Sequence, residues 1–445
     1  MLTVEDIRPE DYDTVIVASA DLQGRLFGRR IPQRRFRENP EGCVDISTCA
    51  LTWTSSQDIV TTSWFGNWAN GWRDFQLKPD LTTLRPYPGV PRTAICLADV
   101  MDDEGRLIAL APRTILRRQL ERAQHLGYTV VMASELEFYL FQGSVRQARL
   151  ARFQHLEPTT LIRSDYSIVG QSVQEPFILR IRQAMEGAGI NIFAAQAEYG
   201  LGQWEVNLEH TDALEMADRH VIYKAGVKEL ALQHQLSVTF MAKPVETEFG
   251  SSCHLHCSLW QAGQPVLPSL ERSGTLSSRG RHFLGGLIHH LDETALFFAP
   301  HVNSYKRHVE ESVGGGLHAW GYDNRTATFR IIGHGPSLHI EHRFAGADAN
   351  PYLAMAAIIA AGLDGLQRQL EPGDPIDGNG YEMPQLRHTP TCLGDAVELF
   401  RTSEFVREWL GSEVVQHYAA VHAHEWQSYL RAVTDWEVLE GFESV

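Results

Sequence analysis

The chain has 445 residues, 43% hydrophobic and 21% charged, which is a folded composition too long for one ordinary domain and unlike a disordered chain. Its 55 acidic and 39 basic residues leave a formal charge of −16, a surface that repels nucleic acid and anionic membranes and whose simplest meaning is solubility. Six scattered cysteines (Cys43, Cys49, Cys96, Cys253, Cys257, Cys392) make no disulfide framework, the acidic start has no apolar signal segment, and the longest apolar run, 352–363, is too short to cross a bilayer, so a reduced, cytoplasmic setting is expected.

From 13 to 108 the pattern is one of short strands and turns. Residues 14–18 read as a strand, and Asp21-Leu22-Gln23-Gly24 as a turn into the basic stretch 25–30. Residues 53–73, rich in Trp, Gly, Asn and Ser, read as a long loop, and 93–98 as a strand. This is a small β-rich domain. A boundary near Ala111-Pro112 divides the chain into 1–108 and 109–445. Pro112 suits the first turn of a helix; Ile115, Leu116, Leu120 and Ala123 recur at helical spacing, and Gly127 closes it. Further helices are expected at 176–189, 212–235, 278–298, 351–369, 393–410 and 414–433, with alternating strands between them, so the larger domain is α+β.

The chemistry lies on those strands. In 130–141, Glu135, Glu137 and Tyr139 share one face and Leu136, Phe138 and Leu140 the other. Neighbouring carboxylates on an apolar strand repel each other and lose hydration, and a cation between them removes both penalties. A single Glu-x-Glu is more often a solvated sheet face, but here the pattern recurs. Gln203, Glu205 and Asn207 share a face, preceded by Glu198 across a Gly-rich bend; Glu341 and Arg343 share another; so do His254, His256 and Ser258. Cys253 and Cys257 fall on the face away from the two histidines, which serves a tetrahedral zinc site poorly, and small core residues are the simpler reading.

Several carboxylates with one or two imidazoles suit hard cations, Mg²⁺ or Mn²⁺, and exceed the needs of one ion. Two or more metals holding nucleotide phosphates would use the excess. Arg307, Arg325, Arg330 and Arg343 add positive charge; each alone could be a surface residue, but with the metals they suit phosphoryl transfer. There is no Walker motif: Gly314-Gly315-Gly316 lacks the flanking strand, helix and Lys-Ser/Thr pair and reads as a loop.

In order along the chain stand Asp74-x5-Asp80, Glu135-Leu136-Glu137-Phe138, Glu198 to Glu205, Lys243-Pro244, His254-Leu255-His256-Cys257-Ser258, Asn303-Ser304-Tyr305-Lys306-Arg307, Asn324-Arg325-Thr326, Arg330, Glu341-His342-Arg343 and Asn350-Pro351-Tyr352. This series resembles the bacterial-type glutamine synthetase family. The resemblance implies an N-terminal β-grasp domain, a catalytic α+β domain with a curved antiparallel sheet, and a homo-oligomeric ring, often a dodecamer of two hexamers. Active sites would lie between subunits, with Asp74 reaching a neighbour's. It implies Glu137, Glu198 and Glu205 as ligands of a first metal and Glu135, His254 and Glu341 of a second, with two or three Mg²⁺ or Mn²⁺ per site. Arg307 and Arg343 resemble the residues that hold glutamate and the transferring phosphate, and Gly250 the glycine of the glutamate loop. Arg325 and Arg330 resemble the arginines on ATP, His256 and Ser258 the nucleotide-side residues, and Asp74 and Tyr166 members of the ammonium pocket. Tyr381 sits where some members carry a regulatory adenylylated tyrosine. The implied reaction makes γ-glutamyl phosphate from glutamate and ATP, and an uncharged amine then displaces phosphate.

Two positions depart from the pattern. The flap glutamate expected six residues after Arg307 is Val313, with Glu310 and Glu311 just upstream, and the usual Asn before Gly250 is Phe249. Loss of that carboxylate favours an amine bulkier than ammonia, as in members that make γ-glutamylamides. The alternatives are a glutamine synthetase proper and, from another class, a ring protein that keeps the fold without catalysis.

Overall fold

The computed structural model describes residues 1–308 and 314–444, built on two sheets. In the first, Thr14–Ala20 forms a hairpin with Leu26–Pro32 and pairs in parallel with Thr93–Met101, beyond which lie Asp74–Pro79 and Val44–Ser47. The expected strands at 14–18 and 93–98 are present and run two or three residues further. The hairpin turn is made by Asp21, whose Oδ1 accepts from the backbone N–H groups of Gln23 (3.0 Å) and Arg25 (2.8 Å).

The second sheet runs Trp320–Tyr322, Phe329–Ile332, His339–His342, Cys253–Gln261, Thr129–Gln142, Gln203–Asp212, Ile192–Ala197. Its pairs are antiparallel except the first, which is parallel, an exception to the antiparallel sheet that the family resemblance implies.

Pro112–His125, Glu175–Gly187, Ala213–Gln233, Pro351–Arg368 and Ser412–Arg431 end within two residues of their expected bounds. The helices expected at 278–298 and 393–410 are each broken in two. Ser278–His289 and Leu291–Phe298 meet at His290, whose Nε2 lies 2.7 Å from Asp364 Oδ2. Leu393–Thr402 and Glu404–Leu410 meet at Ser403, which restarts the helix as an N-cap by accepting from the Val406 N–H (2.9 Å). A one-residue pivot barely disturbs the hydrophobic phase, so periodicity does not register it. Pro351–Arg368 is buried continuously from 351 to 365, which explains the apolar run there; among the described residues no helix is long and apolar enough to cross a membrane. It packs on Ser278–His289 at glycine contacts: a Cβ on Gly286 would meet the Ala361 carbonyl at 2.0 Å.

A polar clamp ties the first sheet to the helices. Arg113, on Pro112–His125, forks onto Asp218 (3.0 and 2.9 Å) and reaches Asp99 (2.5 Å) and Asp80 (2.8 Å) of the N-terminal region. Tyr352 donates to Asp218 Oδ1 (2.6 Å), and Asn350 Nδ2 donates to the Asp21 (3.0 Å) and Leu22 (3.2 Å) carbonyls. Asp80 and Asn350-Pro351-Tyr352, both within the family-like series, therefore serve architecture.

Candidate active site

Directly opposed residues in a sheet share a face, so register decides what meets. Glu137 stands opposite Glu205, which stands opposite Gln196; Glu135 lies between Asn207 and His254; Glu341 lies between His256 and Arg330. His254 Nδ1 is 3.2 Å from Glu135 Oε2 and 3.4 Å from Glu341 Oε1, and His256 Nε2 is 3.1 Å from Glu135 Oε1. Glu341 accepts from Arg330 (3.0 Å) and Arg343 (2.5 Å). Gln196 donates to Glu198 (3.3 Å) and Glu205 (3.1 Å), and Asn207 donates to Glu205 (3.0 Å).

Two groups of side chains bring donor atoms within 4.8 Å of one another: Glu135–His256–Glu341 and Glu135–Glu205–His254. Glu135 belongs to both. Among the described residues the buried His254 Nε2 and Asn207 Oδ1 have no hydrogen-bond partner, and an orphan imidazole nitrogen among carboxylates suits a divalent cation. This grouping differs from the two triads implied by resemblance. His256 enters a cluster, while Glu137 accepts from the Ser252 hydroxyl (2.7 Å), the Ser252 N–H (2.9 Å) and Gln203 (2.8 Å). Glu198 stands beside Glu205, linked to it through Gln196.

Charge crowding is large. Burial, then the Glu137 carboxylate, push Glu198 up to about 8; burial with Glu135 and Glu137 raises Glu205 well above the carboxylate range. Burial also opposes ionisation of Glu135, but the hydrogen bonds and charge of His254 and His256 outweigh it and hold Glu135 well below that range. Glu341 is likewise pulled down to about 2, chiefly by the charges of His254 and Arg343 acting against burial. Burial and Arg343 lower His254 against the pull of Glu135 and Glu341.

A pH dependence follows for the metal-free protein. Glu198 keeps a proton up to about 8 when folded but only to about 4.5 when unfolded, so the folded form binds more protons between those values. Stability therefore falls as pH rises through that window, by at most about 1.4 kcal/mol per unit from this group. A divalent cation restores it by replacing the proton. Thermal unfolding with EDTA or Mg²⁺ at pH 6 and pH 8.5 should show a larger Mg²⁺ stabilisation at pH 8.5; an equal or smaller one would refute the account.

Beside the cluster a cavity of about 450 Å³ is lined by Glu135, Phe193, His256, Ser258, Trp260 and Pro336, among others. Ser258 accepts from Trp260 Nε1 (3.0 Å), and His256 Nδ1 is 3.0 Å from His339 Nε2. Gly250 lies against Arg307: a Cβ there would meet Arg307 Cγ and the Ala242 carbonyl at 2.6 Å. Arg307 is buried, its guanidinium donating to the carbonyls of Gly314 (3.0 Å), Phe344 (3.1 Å) and Arg343 (2.9 Å). Arg325 is exposed. Tyr166 is 64% exposed, at φ 52°, and its hydroxyl is raised by burial and by the charges of Glu198 and Glu205. Asp74 is exposed at the start of its strand in the other sheet, so it does not join the cluster within one chain. Tyr381 lies in the 3₁₀ turn Gly380–Glu382. Val313, Glu310 and Glu311 lie outside the described residues.

Ser252, Gln196 and His339 are site residues that sequence reading misses. Each stands two positions before a residue already on the face (His254, Glu198, Glu341), so extending each alternation one step back finds them.

A sheet face bearing carboxylates, imidazoles and arginines beside a cavity is the layout of a phosphoryl-transfer enzyme. The chain belongs to the glutamine synthetase family, whose catalytic domain matches residues 109–440. It is 40% identical to the gamma-glutamylethanolamide synthetase GlnA4 of Streptomyces coelicolor over 97% of this chain and 93% of that one. It is 36% identical to a glutamate–isopropylamine ligase of a Pseudomonas species, over 98% and 97% of the two chains. Among solved structures, GmaS in complex with ADP superposes with a TM-score of 0.86 at 28% identity, covering 99% of each chain.

Proposed function

We propose that this protein is an ATP-dependent ligase that joins the γ-carboxylate of glutamate to an organic amine through γ-glutamyl phosphate. The observation that carries the reading is the sheet face: Glu135, Glu205, Glu341, His254 and His256 converge within reach of common cations, with Arg330 and Arg343 attached. Two or three Mg²⁺ or Mn²⁺ ions per site, held by these side chains with Glu198, would neutralise the ATP phosphates. The 450 Å³ cavity beside His256 and Ser258 takes the nucleotide, with Phe193 and Trp260 offering apolar surface to its base. Arg325 and Arg330 reach the phosphates, and Arg343 reaches the transferring group. Gly250 admits Arg307 against the glutamate loop, where Arg307 donates to the carbonyls of Gly314 and Arg343.

Attack requires an uncharged amine, so a carboxylate must accept the ammonium proton. Asp74, supplied by a neighbouring copy in a ring of two hexamers, and Tyr166 serve that pocket. Residues 1–108 form the β-grasp domain, 109–445 the catalytic domain, and the protein works in the cytoplasm. An organic amine is favoured over ammonia by Val313 in place of the flap glutamate and by Phe249, whose ring meets that of Tyr199 at 4.9 Å, next to Glu198. The named relatives act on ethanolamine and isopropylamine, in agreement.

The test is phosphate release from ATP with glutamate and Mg²⁺, comparing ammonium with a panel of mono-, di-, poly- and aromatic amines. One organic amine is expected to exceed ammonium at least tenfold in kcat/KM, with Val313→Glu narrowing that gap. A preference for ammonium would identify a glutamine synthetase proper. Absence of turnover with every amine would leave a ring protein without catalysis.

A further inference from the structure

A second cavity, of about 910 Å³, lies between the Asp21–Arg25 turn, the Ala213–Gln233 helix, the Leu236–Thr239 strand and the Val302–Arg307 turn. Lys224 and Lys228, one helical turn apart, line it and flank a single aromatic ring: their Nζ atoms are 5.3 and 5.7 Å from the Phe240 centroid. Lys224 is buried and donates to a neutral partner, the Ala347 carbonyl, at 2.7 Å. Among the described residues neither lysine forms an ion pair.

Most other charges of the cavity are engaged, though the buried Asp348 Oδ1 has no hydrogen-bond partner among the described residues. Arg25 pairs with Asp21 (2.8 Å), Glu425 takes His301 (2.9 Å) and the Val302 N–H (3.1 Å), Asp348 takes the Ser304 hydroxyl (2.7 Å), and Glu229 lies 3.8 Å from Arg30. Two like charges one turn apart destabilise a helix, the more so when one is buried. Burial, then Lys228, push the Lys224 ammonium down to about 8, against the weaker pull of Asp348 and Asp21. An anion between them would relieve both the repulsion and the missing solvation.

We propose that Lys224 and Lys228 form the floor of a second ligand site, separate from the sheet-face cluster, that takes a small multivalent anion, a carboxylate or a phosphate. Asn303 and Lys306 line the same cavity and belong to the turn that ends on Arg307, so a bound anion touches the element that carries Arg307 toward the glutamate loop. That consequence for turnover rests on the proposed ligase reading, whereas binding does not.

The test is calorimetric titration of the full-length, EDTA-treated protein with citrate and, separately, with orthophosphate. Saturable binding of at least one of them, one per chain, is expected, weakened at least tenfold by Lys228→Met and by Lys224→Met. Binding of citrate alone assigns a carboxylate, and of orthophosphate alone a phosphate. Mg²⁺-dependent ADP binding, measured in parallel, should be unchanged in both variants; its absence in the wild type would count against the ligase reading and not against this site. Lack of saturable binding by either anion, or unchanged affinity in Lys228→Met, a side chain open to the cavity, overturns the proposal.

Discussion

Glu135→Gln should lower the maximal rate of metal-dependent ATP turnover about a thousandfold and also make the metal-free protein less stable at pH 8. Both effects share one cause. Glu135 belongs to both groups that could hold a cation and lies within 3.2 Å of both His254 and His256. The amide keeps the shape but removes the charge that attracts a cation. The same charge repels Glu205, whose proton affinity it raises, but the hydrogen bonds and charge of His254 and His256 outweigh this in the fold, so removing it weakens the empty cluster. Turnover assays at saturating Mg²⁺ and Mn²⁺, with thermal unfolding in EDTA, read both effects. Activity within tenfold of wild type would show that Glu135 is not the shared ligand. Unchanged metal-free stability would show that the two histidines do not hold its charge in the fold.

Arg113→Met should destabilise the protein by about 3–5 kcal/mol, the cost of leaving a buried charge without its partner. Arg113 touches three carboxylates, and Asp218, the deepest, is 1% exposed and retains only the Tyr352 hydroxyl at 2.6 Å once the guanidinium is gone. Asp80 and Asp99 would be left with Arg117 of the same helix (3.6 and 3.0 Å), so the substitution should loosen the first sheet from the helices. Urea unfolding followed by tryptophan fluorescence measures the change. Arg113→Lys should recover only part of it, because an ammonium cannot fork onto Asp218 while reaching two other acids. A shift below about 1 kcal/mol for Arg113→Met would mean the clamp contributes little.

Much of the site was legible because a strand's period of two is strict. Glu135 with Glu137, Glu205 with Asn207, and His254 with His256 fall on their faces from alternation alone, and the two cysteines of the histidine strand fall on the buried side. The long helices were legible for the same kind of reason, since an amphipathic stripe repeats over many residues. The breaks at His290 and Ser403 were not, because a single pivot residue leaves the stripe in phase.

By itself the sequence determined which residue types occur, in what order, and on which face of each element they lie; that suffices for the family and for the chemistry its side chains can perform. Only the tertiary structure decided partnership. Strands far apart in the chain are brought to one register by burial of the opposite face, and register alone sets Glu341 between His256 and Arg330, and Glu135 between Asn207 and His254. Tertiary packing likewise turned Arg307 onto backbone carbonyls, made Asp80 and Tyr352 a clamp, and left Lys224 and Lys228 facing a cavity without an ion-pair partner among the described residues. The physical reason is range: local periodicity acts within a few residues, whereas a contact between distant segments exists only when the whole core has been assembled around it.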